Sequence, residues 1–517
     1  MSMRRSRPTS AFVQRLPLWL ALSVTLLLGG CGTTVFNPVT GQAERSAMSE
    51  AQEVQTGRQA HAEVLKETPR LANEPLQAYV QALGKKLAAQ SHRPELDWHF
   101  TVLDSAEVNA FALPGGYVYV TRGILAHLNS EAELAGVLGH EIGHVTARHG
   151  AQRATRQQDA GLGVLAATVL GAVLEARGVG GATEMLGQTA QGVAAGHVAN
   201  YSREQELQAD ALGAEYLAKS RYDAVHMVDV IQVLKDQERY AADQARAQGQ
   251  TPPPAPGWLS SHPSNDERLA RIHTEAALRR LPPDEARKAD DGQQRFLQAT
   301  QGLIYGDSAE QGLVRGRHFI HPELKLALTA PQGWHIVNGA EQLQIVAPDR
   351  QAALILQAVP PQAGRQHDDI LRRWVRAEQG RSQALQFNGL AATRFSGMRR
   401  DAQGQLSPVA LTLVSSPTGA VYALARSGRA AQGPWRAALD DAEQSLRPPS
   451  AVDLDLAKPW RLALRRHPSG GFAELARSAP QGVTPELLRL INGRYGHTDP
   501  QAEPKPGEWV KTLQALQ

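Results

Sequence analysis

One pentapeptide narrows the fold of this chain more than any other stretch: His140-Glu141-Ile142-Gly143-His144. On a helix, His140 and His144 sit one turn apart and project from the same face. Two neutral imidazoles so placed can share one zinc ion, with Glu141 beside them as a base for a water molecule. The neighbourhood reads as helical. Ser130-Glu131-Ala132-Glu133 is a capping-box pattern. Leu134, Val137, Leu138 and Val145 then recur near helical spacing, and Gly150 is placed to end the helix.

Zinc needs a third protein ligand. Ser202 and Gln205 make a second capping-box pattern, and Glu206 and Asp210 share a face four residues apart on the helix it starts. Glu206 is the expected third ligand. Asp210 is expected to accept the ring N–H of a ligand histidine, fixing its tautomer and raising its basicity. A histidine as third ligand in the metzincin pattern fails on spacing, because Ala147 and Gly150 stand where that pattern wants Gly and His. His149 is off the ligand face and reads as a helix-end or supporting histidine.

At these residues the chain resembles the gluzincin metallopeptidases that include the heat-shock membrane protease HtpX, the CAAX prenyl endopeptidase and the periplasmic BepA-type proteases. The resemblance spans about residues 45–275. It rests on Asn109-Ala110-Phe111-Ala112-Leu113-Pro114-Gly115-Gly116, on the pentapeptide with Arg148-His149, on Ser202-Arg203 through Glu206 to Ala209-Asp210, and on Ser261-His262-Pro263 with Arg268. It implies one zinc per chain on His140, His144 and Glu206, with Glu141 as base. It implies that His262 approaches the metal as a gate; an ordinary loop histidine is the alternative, since a second His-Pro occurs at His321-Pro322. An oxyanion role is open to His262 or Arg268. Misfolded or stalled envelope proteins are the substrates the resemblance suggests.

The N-terminus carries an address. Arg4, Arg5, Arg7 and Arg15 precede an apolar run, residues 16–28, followed by Gly29-Gly30-Cys31. This is the layout of a secretory signal, and the run is too short to span a bilayer comfortably. Cys31 after two small residues resembles a bacterial lipobox, in which the chain is cut before the cysteine and Cys31 takes the lipid. Cys31 is the only cysteine, so it has no internal disulfide partner. Gly32 rather than Asp follows it, which by the lipoprotein sorting rule favours the outer membrane.

The 517 residues suffice for about three domains. A net charge of +3 argues against a nucleic-acid partner. The expected layout is multidomain: signal peptide 1–30, lipidated tether 31–48, and a mainly α-helical zinc metallopeptidase domain 49–290 with a small β element. An α+β domain 318–450 and a small C-terminal α/β module 456–517 follow. The β element is Tyr117-Val118-Tyr119-Val120 after a Pro-Gly-Gly turn, a strand able to pair with an extended substrate backbone. The apolar run 160–174 reads as a packed helix, with a lid or lipid-resting surface as the alternative. Residues 251–257, rich in proline, break the helices before His262.

In the α+β domain, 368–379 and 434–446 read as helices, and 409–414 and 420–425 as strands. The last module is similar to a degenerate LysM module, which would contact peptidoglycan; a small cap with no ligand is the alternative. The functional expectation is a lipid-anchored periplasmic zinc endopeptidase. The alternative is an envelope binding or chaperone-like lipoprotein whose zinc site is largely silenced.

Overall fold

The computed structural model describes residues 33–159, 202–247, 258, 262, 266–280, 282, 285, 290–339, 342–400, 404–428, 433–496 and 503–516. The expected signal peptide, Cys31, the apolar run 160–174 and the breaker 251–257 lie outside the described residues. No helix among the described residues is long and apolar enough to cross a membrane. The chain divides into two compact units, Met1–Thr56 with Ala147–Asn200, and Gly57–Thr146 with Tyr201–Gln517.

In the first unit, β1 (Thr33–Asn37) and β2 (Gln42–Ser46) form an antiparallel hairpin where the sequence suggested a tether. The Asn37 side chain makes the turn, accepting the Val39 and Thr40 N–H groups at 3.0 and 3.3 Å. The helical run 149–159 joins it: the Ala47 N–H donates to Thr155 at 2.8 Å, and Arg45 pairs with Asp159 at 2.9 Å.

The second unit begins within the helix Glu50–Glu67, and helix α1 (Glu74–Ala88), capped by the Asn73 side chain, follows. A three-stranded sheet follows, β3 (His99–Leu103), β4 (Ala110–Leu113) and β5 (Tyr117–Thr121), in the order β3-β5-β4. Gly115 and Gly116, at φ 81° and 96°, make the turn that the Pro-Gly-Gly signal announced. The sheet corrects one expectation. β5 is the central strand, parallel to β3 and antiparallel to β4, so both its edges are occupied. Among the described residues the free edge nearest the pentapeptide belongs to β4.

Helix α2 (Arg122–His127) leads into α3 (Glu131–Thr146), which carries the pentapeptide. Ser130 caps α3 by accepting the Glu133 N–H at 3.1 Å, while the Glu133 carboxylate accepts the Asn129 N–H at 2.7 Å. Every residue of α3 is buried, where the apolar spacing predicted one buried stripe. A helix enclosed on all sides is a central element rather than an amphipathic one. It also ends before Gly150. Arg148 takes a left-handed conformation (φ 59°) and breaks the helix, its buried guanidinium lying 3.1 Å from Glu53.

Helix α4 (Arg203–Lys219) starts with the predicted capping box between Ser202 and Gln205 and packs along α3. Helices α5 (His226–Ala247) and α6 (Asp266–Leu278) follow, and the short helix Gln293–Thr300 closes the helical part.

The remainder is sheet-rich. β6 (Ile304–Tyr305) is held by buried Arg122, which donates to the Ile304 and Gly306 carbonyls at 2.8 and 2.6 Å and pairs with Asp104 at 2.7 Å. β7 (Leu313–Arg315), β8 (His318–His321) and β9 (Leu326–Thr329) form a small antiparallel sheet, so the expected boundary at 318 falls inside it. A seven-stranded antiparallel sheet spans β10 (His335–Asn338), β11 (Gln342–Val346), β12 (Ala353–Ala358), β13 (Ala377–Phe387), β14 (Leu390–Arg400), β15 (Leu406–Ser415) and β16 (Val421–Ser427).

The helix expected over 368–379 is shorter. It covers α7 (His367–Ile370) and a wider turn, Leu371–Val375, then stops at Arg376 (φ 57°), whose carbonyl accepts the Arg400 N–H at 3.1 Å. Sheet pairing claims residues 377–379. α8 (Arg436–Gln444) forms inside its expected range.

At the C-terminus β17 (Trp460–Arg466) and β18 (Trp509–Ala515) pair antiparallel, with α9 (Gly471–Arg477) and α10 (Pro485–Ile491) between them and β6 on the other edge of β17. Lys511 of β18 is buried, and its ammonium donates to the Ala126 and Leu128 carbonyls at 2.9 and 2.7 Å.

Candidate metal centre

Helices α3 and α4 approach closely because small residues face each other, Gly139 and Gly143 on one, Ala209 and Gly213 on the other. His140 and His144 leave α3 one turn apart, and Glu206 and Asp210 leave α4 in the same way. One ligating atom each from His140, His144, Glu206 and His262 lie within 4.8 Å of one another, and all four residues are buried.

The His140 Nδ1 lies 2.8 Å from Asp210 Oδ1. In that bond the ring N–H donates to the carboxylate, which leaves the Nε2 lone pair facing the cluster. There Nε2 lies 3.0 Å from His144 Nε2, 3.2 Å from His262 Nδ1 and 3.6 Å from Glu206 Oε2. His144 Nε2 is 3.5 Å from Glu206 Oε1. His262 Nδ1 meets Glu206 Oε1 at 2.9 Å, so the imidazole nitrogens and the carboxylate converge on one point. A set of imidazole nitrogens and one carboxylate oxygen suits zinc, so the residues present fit the metal the pentapeptide implies.

Asp210 is itself held. Arg268 Nε and Nη2 donate to it at 2.7 and 2.9 Å. Arg268 Nη1 lies 3.0 Å from Glu206 Oε2 and donates to the His262 carbonyl at 2.9 Å. The Arg268 N–H groups thus reach two carboxylates and a carbonyl. Burial pushes the Asp210 carboxyl up, but Arg268 and His140 outweigh it and hold the group at about 2. Burial likewise opposes ionisation of Glu206, and His262, His140 and Arg268 keep it below the usual carboxylate range. Burial disfavours the charged His262 ring, yet Glu141 and Glu206 draw its pKa above the ordinary histidine value.

Glu141 points to the same space and is covered. Its Oε1 accepts the Trp258 indole N–H at 2.9 Å and lies 3.7 Å from His262 Nε2. The Trp258 ring stacks on His262 with centroids 4.8 Å apart, and its backbone N–H donates to the Val108 carbonyl at 2.9 Å. Sequence reasoning passed over Trp258. The available signal was an aromatic residue directly after Pro256-Gly257 and four residues before His262.

Residues 74–276 match the model of Peptidase family M48. The Beta-barrel assembly-enhancing protease of Escherichia coli (strain K12) is 30% identical over 244 residues, 46% of this chain and 47% of that protein. The bovine mitochondrial Metalloendopeptidase OMA1 is 32% identical over 181 residues, 34% of this chain and 32% of that protein. The Mitochondrial metalloendopeptidase OMA1 of Schizosaccharomyces pombe is 31% identical over 215 residues, 41% and 57%. The chain thus spans about half the length of the assembly-enhancing proteases it matches. A solved structure of LpqN of Mycobacterium tuberculosis aligns at 20% identity over 24% of this chain and 83% of that chain, with a TM-score of 0.18, too low to carry an argument. Residues 74–276, the segment that brings HExxH and Glu206 to one buried centre, are thus similar to Peptidase family M48.

Proposed function

We propose that the protein is a zinc-dependent endopeptidase of the bacterial cell envelope. The observation that carries this reading is the convergence of His140, His144 and Glu206 beside a Glu141 that is not among the converging ligands. Zinc held by those three residues would supply Lewis-acid activation of a water and of the peptide carbonyl. Glu141 then takes the proton from the attacking water and passes it to the leaving amine. Asp210 keeps His140 in the tautomer that leaves Nε2 free, and Arg268 keeps Asp210 ionised. An extended substrate lies along the open edge of β4, where backbone pairing holds it without regard to sequence.

His262 and Trp258 fill the space over Glu141 in this arrangement, which supports a resting state. In it His262 is a fourth ligand and must withdraw before substrate enters. The same observation favours a second reading, a binding or chaperone-like lipoprotein with a largely silenced centre. The similarity to a beta-barrel assembly-enhancing protease and to metalloendopeptidases supports work on protein substrates, with beta-barrel assembly as one setting. The lipobox supports anchoring through Cys31 at the outer membrane, and the βααβ order of the last module supports a LysM-like contact with peptidoglycan.

The chain from residue 32 onward should carry one zinc and cleave casein. Cleavage should vanish on metal chelation and return on adding zinc. Zinc binding with no cleavage under any condition would favour the second reading.

A further inference from the structure

A cavity of about 290 Å³ lies beside this centre, between α2, α5 and the β6 strand. Its walls are apolar, formed by Val108, Ala126, Leu234 and the Tyr305 ring, and two carboxylates, Glu107 and Glu238, line it with no Lys or Arg among the lining residues. His127 lines it as well but adds no charge. Its Nδ1 is bonded to the Gly123 carbonyl at 2.9 Å, its Nε2 meets the Gln237 amide, and burial draws its pKa down to about 4. The charged side chains among the lining residues are thus the two carboxylates alone; behind the wall, Arg122 and Lys511 donate to the Gly306 and Ala126 carbonyls, and Arg122 is paired with Asp104. Burial raises the Glu107 carboxyl above the usual range, with only the Asn109 amide at 3.5 Å in support.

Its position links it to the reacting groups. Val108 lines the cavity, and its carbonyl accepts the Trp258 N–H, while the Trp258 indole donates to Glu141. β4 begins two residues further on at Ala110. At about 3.3 Å per residue, an extended chain lying on the β4 edge passes Val108 within about 7 Å of that strand's start. The volume is at the small end of ligand cavities, the scale of one or two side chains.

We propose that this cavity is a substrate subsite for a basic side chain, Lys or Arg, of an extended polypeptide. The aliphatic stem lies on the apolar walls and the cation between Glu107 and Glu238. The inference rests on the peptidase reading of the neighbouring centre and adds a substrate preference to it.

The test uses the zinc-loaded full chain and a neutral, internally quenched peptide carrying one arginine, moved stepwise along its sequence, against the same peptides with citrulline. At the position that reaches the cavity, arginine should raise kcat/KM about five- to tenfold, as expected for one cation between two partly exposed carboxylates. The zinc-loaded Glu141→Gln protein should bind that peptide tighter by a similar factor. Glu107→Gln with Glu238→Gln should erase the preference in both assays. So should Glu238→Lys, a change at an exposed helix position that places a cation in the site. Equal rates and affinities for the two peptides at every position, or a preference that survives these variants, would overturn the subsite while leaving the peptidase reading in place. If no peptide is cleaved but arginine still tightens binding and the variants abolish this, the subsite stands and the peptidase reading fails.

Discussion

Replacing Gly143 with alanine tests how the ligand helices are held. A Cβ at Gly143 would lie 2.9 Å from the Ala209 carbonyl oxygen, 3.1 Å from Ala209 Cα and 3.3 Å from Leu212 Cβ. Carbon atoms rest at about 3.5–4.0 Å, so α4 has to withdraw by roughly half an ångström. Alanine favours a helix interior over glycine by about 1 kcal/mol, and overpacking of this kind costs about 1–3 kcal/mol. The two leave a net loss of about 0–2 kcal/mol. The metal centre is less forgiving, because ligand distances are held to about 0.2 Å and Glu206 stands three residues before Ala209 on the displaced helix. Gly143→Ala should weaken zinc binding about tenfold or more, measured by chelator competition, and should lower the melting temperature of the zinc-free protein by only about a few degrees. Zinc affinity within twofold of wild type would refute the reasoning, since it would mean that contact at Gly143 does not set the position of Glu206.

Asp210→Asn should lower zinc affinity by about 10- to 100-fold. In the zinc-free protein, an Asp210 carboxyl carried from an ordinary 3.8 to about 2, against burial, by Arg268 and His140 contributes roughly 2 kcal/mol. Because the folded value lies below the unfolded one, that contribution is complete above about pH 4 and fades as pH falls toward 2. Unfolding curves across this window should be steeper in pH for wild type than for the Asn variant. His262→Ala should raise basal cleavage, and a cobalt-substituted sample should lose one nitrogen ligand; a lower rate with unchanged spectrum would assign the ring to the oxyanion instead. Arg122→Met should cost about 3–5 kcal/mol in urea unfolding, because it strands Asp104 and the Ile304 and Gly306 carbonyls.

The parts of the centre legible in the sequence are those that helix periodicity alone places together. His140 and His144, Glu206 and Asp210, and the caps at Ser130 and Ser202 each follow from offsets of three or four residues. What escaped depends on partners far along the chain. Trp258 reaches Glu141 across 117 residues, a pairing that its place after Pro256-Gly257 does not announce. Gly143 reads as a filler position of HExxH until Ala209 is seen against it. The enclosure of α3 on every side is equally illegible, since its apolar spacing is that of a helix with one wet face. β5 was found as a strand, but its central place depends on β3 pairing in parallel from upstream. The end of α3 was misplaced because a left-handed arginine stopped it, where glycine is the usual residue. In the sheet-rich part, helix and strand signals overlapped at 377–379, and pairing with β14 decided the outcome.

The measurement that bears most directly on the central claim compares Glu141→Gln with wild type for zinc content and casein cleavage in the same preparation. Glu141 lies beside the converging ligands rather than among them, so the variant should hold one zinc per chain while cleavage falls to background. Cleavage at the wild-type rate, or loss of zinc along with activity, would contradict the assignment of Glu141 as the base at a centre built by His140, His144 and Glu206.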